Sequence, residues 1–269
     1  LMFLHNVRSF TRLGLSLGLT VLFLPIQFIT NLFLKNSSFP SKCTFFILTY
    51  SHRLLGIRIN CIGKPSTLSP TLFVSNHISY LDINILGSIL PAAFIAKAQV
   101  RKWPIFGLYA KLQGSIFIDR TPHTIKAQLK AIGERLKSGK NLVLFPEGTS
   151  NDGTHVLPFK SSLFAFSNID RPLYIQPVTI TYAQASGMPL GRNLRNRYAW
   201  FGDLTLPPHL HSLSREGKVT VNIRFHEPVD ASNFSSRKEL ATYCHEQVSQ
   251  GMSDTITGKH YPQQRTSNA

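Results

Sequence analysis

In the stretch Ser75-Asn76-His77-Ile78-Ser79-Tyr80-Leu81-Asp82 an apolar run, Thr71 to Val74, stops at a histidine that is followed five positions later by an aspartate. Imidazole titrates near pH ~6.5, so a neighbouring carboxylate can set its charge and decide which ring nitrogen accepts a proton. Those are the ingredients of a general base at neutral pH. On one continuous helix the two side chains would sit about 140° apart and could not meet. They meet if the helix starts after His77, with Ser79 as N-cap and Asp82 in the first turn, and the loop folds the ring back over the helix start. Ser79-x-x-Asp82 is also close to a capping box, in which both groups serve only backbone N–H donors. The spacing alone leaves catalysis and capping both open.

Three further blocks stand at the ends of apolar runs. Gly114-Ser115-Ile116-Phe117-Ile118-Asp119-Arg120 closes on a charged pair, and a guanidinium fork at Arg120 suits a phosphate where an isolated Asp119–Arg120 surface pair is the plainer alternative. Leu142 to Ser150 leaves a strand through Phe145-Pro146-Glu147-Gly148-Thr149-Ser150. Gly148 lets the backbone approach a ligand, Thr149 or Ser150 can donate to phosphate oxygens, and Glu147 either holds the loop or orients a cation. Ile175 to Ile180 carries Pro177 inside a strand pattern, which predicts an edge or a bulge.

The elements that must position these blocks follow from periodicity. Strands are predicted over 57–61, 71–75, 94–96, 115–119, 141–145, 174–182 and 219–225, and helices over 44–54, 79–90 and 103–112. Another helix opens at Thr121-Pro122, repeats Ile125, Leu129, Ile132 and Leu136, and closes at Ser138-Gly139; a last one runs from Ser236 to Val248. This order predicts an α/β fold, a predominantly parallel sheet covered by helices, with ligands gathered where strands end. No Gly-x-Gly-x-x-Gly or Gly-Lys-Ser/Thr phosphate loop occurs.

Lys and Arg total 29 against 13 Asp and Glu, a formal charge of +16 over 269 residues. Such an excess attracts polyanions, either nucleic acid or an anionic lipid surface. The N-terminus decides between them. From Leu13 to Leu34 no residue is charged, about the ~20 apolar residues that cross a bilayer core. Pro25, Gln27 and Asn31 interrupt the run, which therefore either spans once or breaks at Pro25 into two short interfacial helices. Arg8 and Arg12 before it and Lys35 and Lys42 after it give no clear orientation. The expected organisation is an anchor and linker over 1–42, a catalytic domain over 43–252 and a polar, disordered tail over 253–269. Cys43, Cys61 and Cys244 match no metal pattern, and no metal or bound cofactor is expected.

Taken in order, the blocks resemble the glycerolipid acyltransferase family: Asn-His-x4-Asp at Asn76 to Asp82, Gly-x-x-Phe-Ile-x-Arg at Gly114 to Arg120, Phe-Pro-Glu-Gly-Thr-Ser at Phe145 to Ser150, and a proline-containing strand at Ile175 to Ile180. The resemblance implies an O-acyltransferase that moves a fatty acyl group from a thioester of coenzyme A or acyl carrier protein to the free hydroxyl of a lysophospholipid. The implied acceptor is 1-acyl-sn-glycerol-3-phosphate, with a lyso-ornithine lipid or another lysophospholipid as the alternative, the latter suggested by the run Asn151 to Ser162. His77 is then the base and Asp82 its partner. Arg120, Glu147, Gly148 and Thr149 bind substrate, with Lys97 and Lys160 as further basic candidates. Membrane lipids and acyl carrier protein are the implied partners, nucleic acid is not, and the site faces the cytoplasmic side of the inner membrane. From other classes, a non-catalytic module that binds anionic lipid and a lipid hydrolase fit the same charge and apolar segment; the hydrolase lacks a Gly-x-Ser-x-Gly elbow.

Overall fold

The protein is described from a computed structural model covering residues 2–33, 39–103, 106–119, 122–165 and 171–259. Helix α1, Met2–Phe33, runs through Pro25 without ending. The two-helix alternative is therefore not adopted. Helix α2, Phe39–Leu54, starts earlier than the predicted residue 44 and crosses the expected boundary at 42/43. It lies antiparallel along α1: Ser16 Oγ and Ser51 Oγ are 2.9 Å apart, and Phe23 and Phe46 have ring centroids 5.5 Å apart.

Beyond the pair, strand β1 is Ile57–Ile62 and β2 is Thr71–Ser75; helix α3 is Leu81–Gly87, β3 is Ala93–Lys97, α4 is Phe106–Leu112 and β4 is Ile116–Ile118. Helix α5, Pro122–Lys137, leads to β5, Leu142–Leu144, and β6, Tyr174–Ala185. Two short strands escaped the sequence pattern: β7, Met188–Pro189, and β9, Val229–Asp230. So did helices α6, Arg192–Arg195, and α7, Leu206–Arg215; β8 is Val219–Phe225 and α8 is Arg237–Thr257. Helix α8 continues past the predicted Val248 and past the expected domain end at 252. Gly251 lets it pass Thr179, whose Oγ1 would lie 2.5 Å from a Cβ there. The predicted tail beyond residue 259 lies outside the described residues.

The strands form one sheet in the order β1-β8-β6-β2-β5-β3-β4. From β6 to β4 all neighbours are parallel, while β8 runs antiparallel to β6 and β1 parallels β8. Alternation along β2 divides the core. Phe73 packs with Leu81, Ile85 and Leu86 of α3, while Leu72 and Val74 pack with Ile132 and Leu136 of α5 and Leu240 and Cys244 of α8. Burial of both faces explains why β2 reads as a continuous apolar run.

Pro177 is interior and not at an edge: it sits beside Val74 of β2. A proline is tolerated because β9 leaves β6 at Ile175 and β8 joins it at Val178, so no ladder partner needs the missing N–H on that side. Its carbonyl accepts from His226 N at 3.0 Å.

Candidate functional site

Because β2, β5, β3 and β4 are parallel neighbours, their C-terminal ends open on one edge of the sheet. The chain leaves β2 through Asn76, whose side-chain amide donates to Ile180 O at 2.9 Å and accepts from Ile180 N at 2.8 Å. It thereby extends the β2–β6 ladder, which ends at Ser75 and Val178, by one side-chain rung. His77 follows in the loop, and Asp82 lies in the first turn of α3.

The pair meets as the broken-helix geometry requires. His77 Nδ1 is 2.9 Å from Asp82 Oδ2. That oxygen also accepts from Ile78 N at 2.7 Å and Ser79 N at 2.9 Å, while Oδ1 accepts from the Tyr182 hydroxyl at 2.9 Å. Ser79 enters through its N–H and not its hydroxyl: the helix begins at Leu81 without a side-chain cap. The box is half built, with the aspartate reaching back and no serine oxygen reaching forward.

An ionised carboxylate only accepts, so His77 Nδ1 carries the hydrogen and Nε2 keeps its lone pair. The ring is stacked on Phe145 with centroids 4.2 Å apart and planes 19° apart. The His77 side chain is 18% exposed and that of Asp82 0%. The imidazole is thus the part of the pair that meets solvent.

Glu147 has a role of its own. It is 1% exposed; Oε1 accepts from His77 N at 2.8 Å, and Oε2 from Asn151 Nδ2 at 2.6 Å and Leu157 N at 3.2 Å. Asn151 N in turn donates to His77 O at 3.1 Å. The carboxylate expected to bind substrate is enclosed, and it ties the loop after β5 to the backbone of His77. Burial pushes its pKa up to about 7, with the Asp82 charge adding to the rise and the three donors opposing it.

Gly148 turns the chain at φ +70° and donates its N–H to Phe145 O at 3.0 Å. Thr149 is exposed at the loop tip, and the Ser150 hydroxyl donates to Trp200 O. Lys97 ends β3, two strands from β2, or about 10 Å across the sheet edge. Lys160 is exposed and its N–H donates to Pro146 O at 3.0 Å, which places it beside the same loop. Arg120 lies outside the described residues.

Sequence reasoning passed over Tyr182 and the segment 195–200. Trp200 N donates to Ile78 O at 2.9 Å, and Tyr198 stacks on Tyr182 with centroids 5.9 Å apart. That segment holds the loop after β2 at Ile78 and, through Ser150, the loop after β5. Its lack of any local pattern gives no signal, whereas Tyr182 follows Val178 and Ile180 on one strand face as an aromatic that carries a hydroxyl.

The pattern of the Acyltransferase family matches residues 58–181, a span that holds all the blocks. The lyso-ornithine lipid O-acyltransferase of Brucella abortus is 36% identical over 267 residues, which cover 96% of this chain and 98% of that protein. The 1-acyl-sn-glycerol-3-phosphate acyltransferase of Neisseria gonorrhoeae is 32% identical over 190 residues, 70% of this chain and 72% of that one. The crystal structure of the 1-acyl-sn-glycerophosphate acyltransferase of Thermotoga maritima superposes with a TM-score of 0.67 at 22% identity, covering 96% of this chain and 99% of that one. The α/β fold is shared across its whole length.

Proposed function

The chain belongs to the acyltransferase family, and from that premise we propose that it moves a fatty acyl group from a thioester to the free hydroxyl of a lysolipid, with His77 as general base. The observation that carries this reading is the 2.9 Å contact between His77 Nδ1 and Asp82 Oδ2. With Nδ1 committed to Asp82, Nε2 is left to take the acceptor's proton. The acceptor oxygen attacks the thioester carbonyl as its proton passes to Nε2. The tetrahedral intermediate then collapses, the C–S bond breaks, and the imidazolium returns the proton to the departing thiolate. Asp82 balances the charge on the ring in between. No side chain is acylated, so Ser75 and Ser79 are structural.

The acceptor we favour is a lyso-ornithine lipid. The relative of that name aligns with 98% of its length at 36% identity, against 72% at 32% for the glycerol-phosphate enzyme. This reverses the order expected from the motifs. The second reading, 1-acyl-sn-glycerol-3-phosphate, rests on Arg120 as a phosphate fork, with Gly148, Thr149, Lys97 and Lys160 around it. The donor is a thioester of coenzyme A or acyl carrier protein.

Helix α1 supports work at a membrane. Its segment Phe10–Thr30 has a mean hydropathy of 1.9 and is only 17% buried. Leu22, Phe28 and Phe33 stand 67%, 55% and 75% exposed. We assign helix α1 to the anchor, with the expected boundary at 42/43 moved to the start of α2, and the body that follows to catalysis on the cytoplasmic side.

Purified protein in vesicles, given labelled acyl thioester and either lyso-ornithine lipid or 1-acyl-sn-glycerol-3-phosphate, tests the proposal. Faster acylation of the first, abolished by His77→Ala, is expected. Free fatty acid in place of lipid product would make the protein a hydrolase, and no turnover with either acceptor would leave a lipid-binding module. Arg120→Ala that impairs the phosphate acceptor alone would favour the second reading.

A further inference from the structure

We propose that Tyr182 is a positioning residue of the reaction, its hydroxyl holding Asp82 in the orientation that His77 needs. The proposal rests on the reading of His77 and Asp82 as the working base. Tyr182 is fully buried on β6, one hundred positions along the chain from Asp82, to whose Oδ1 its hydroxyl donates at 2.9 Å. Residues 178, 180 and 182 share a face by the strand's two-residue period, and the first two are Val and Ile. They pack in one apolar cluster with Ile85, Val221 and Val248. Phenylalanine would fill that place, and a hydroxyl there is costly unless it is bonded.

The bond divides the labour of the carboxylate. Oδ2 serves His77 Nδ1 and the N–H groups of Ile78 and Ser79, and Oδ1 is held by Tyr182. Without the hydroxyl, Oδ1 is a buried anionic oxygen lacking this donor, and the carboxylate's charge falls more heavily on the imidazole. His77 then becomes harder to deprotonate while Asp82 loses one of its fixed anchors. The other titratable groups around the cluster are Glu147 on the loop after β5, Tyr80 beside α3 and Tyr198 stacked on Tyr182. All remain in the variant, so a change between the two proteins reports Tyr182.

The test is Tyr182→Phe in the full chain. Expected are a plateau kcat lower by about tenfold, KM for the donor within about twofold, and an acid limb of kcat/KM moved upward by roughly half a pH unit. The His77 resonance, identified by its loss in His77→Ala, should titrate higher by the same amount. In an Asp82→Asn background, Tyr182→Phe should remove little further activity, because the two act as one unit. An unmoved His77 titration and acid limb, or losses that multiply in the double variant, would overturn the proposal and leave Tyr182 as packing. The resonance is read without turnover. A wild-type protein that transfers no acyl group would therefore defeat the functional reading separately from this one.

Discussion

Replacement of Asp82 by Asn tests how the pair works. Imidazolium and carboxylate, with Nδ1 and Oδ2 2.9 Å apart, have charge centres about 4 Å apart, an attraction of ~4 kcal/mol at an effective dielectric constant near 20. The partly exposed ring lets water weaken that figure. Removing the charge should cost about 10²–10³-fold in kcat/KM. In other His–Asp pairs the asparagine amide turns toward the ring and traps the wrong tautomer, at a cost near 10⁴-fold. Here Ile78 N and Ser79 N point at the same oxygen as Nδ1. They select the asparagine carbonyl for that place and send its NH2 toward Tyr182, whose hydroxyl can rotate to accept. The tautomer survives and only the charge is lost. Initial rates of acyl transfer in vesicles from pH 5.5 to 9, with thermal unfolding and imidazole ¹⁵N shifts of the same samples, measure this. A folded variant within about fivefold of wild type would reduce Asp82 to a helix-starting group. A folded variant whose ring carries its hydrogen on Nε2 would refute the backbone-donor argument.

Glu147→Gln should change the pH dependence of stability. The folded carboxyl titrates at about 7 against a reference of 4.5, so the folded state binds an extra proton across that window. The resulting stabilisation is complete below about pH 4.5 and is lost as pH rises through 7, roughly 3 kcal/mol in all. Wild-type thermal midpoints should therefore fall between pH 5 and 8 relative to those of the variant, and parallel profiles would contradict the buried brace. Phe145→Ala removes the ring stacked on His77 at 4.2 Å; kcat should drop about tenfold with both KM values nearly unchanged, checked by steady-state kinetics. The triple change of Leu22, Phe28 and Phe33 to Ser should weaken partition into anionic vesicles by more than about tenfold while leaving the unfolding midpoint in place. Unchanged flotation with vesicles would remove α1 as the anchor.

What the sequence made legible was local. Thr71 to Ser75 and Val219 to Phe225 were predicted at their observed limits because their apolar periods are short and closed by polar residues. The break between His77 and Asp82 was legible for the same reason: five residues cannot share a helical face. What escaped depends on contacts across the chain. Pro177 reads as an edge only until the gap between β9 and β8 is known. Glu147 resembles a ligand-binding residue only until His77, Asn151 and Leu157 are found around it. Tyr182 and the Trp200 segment reach the site from about a hundred positions away, where no spacing rule applies. The choice between capping and the proposed catalytic role for Asp82 was undecidable from spacing because the two are compatible. One oxygen receives the two N–H groups that start the helix and the ring nitrogen that must keep its hydrogen. Capping is what fixes that oxygen in place, and the fixed oxygen is what fixes the tautomer. A substitution that spares the cap and removes the charge therefore measures the proposed catalytic part by itself.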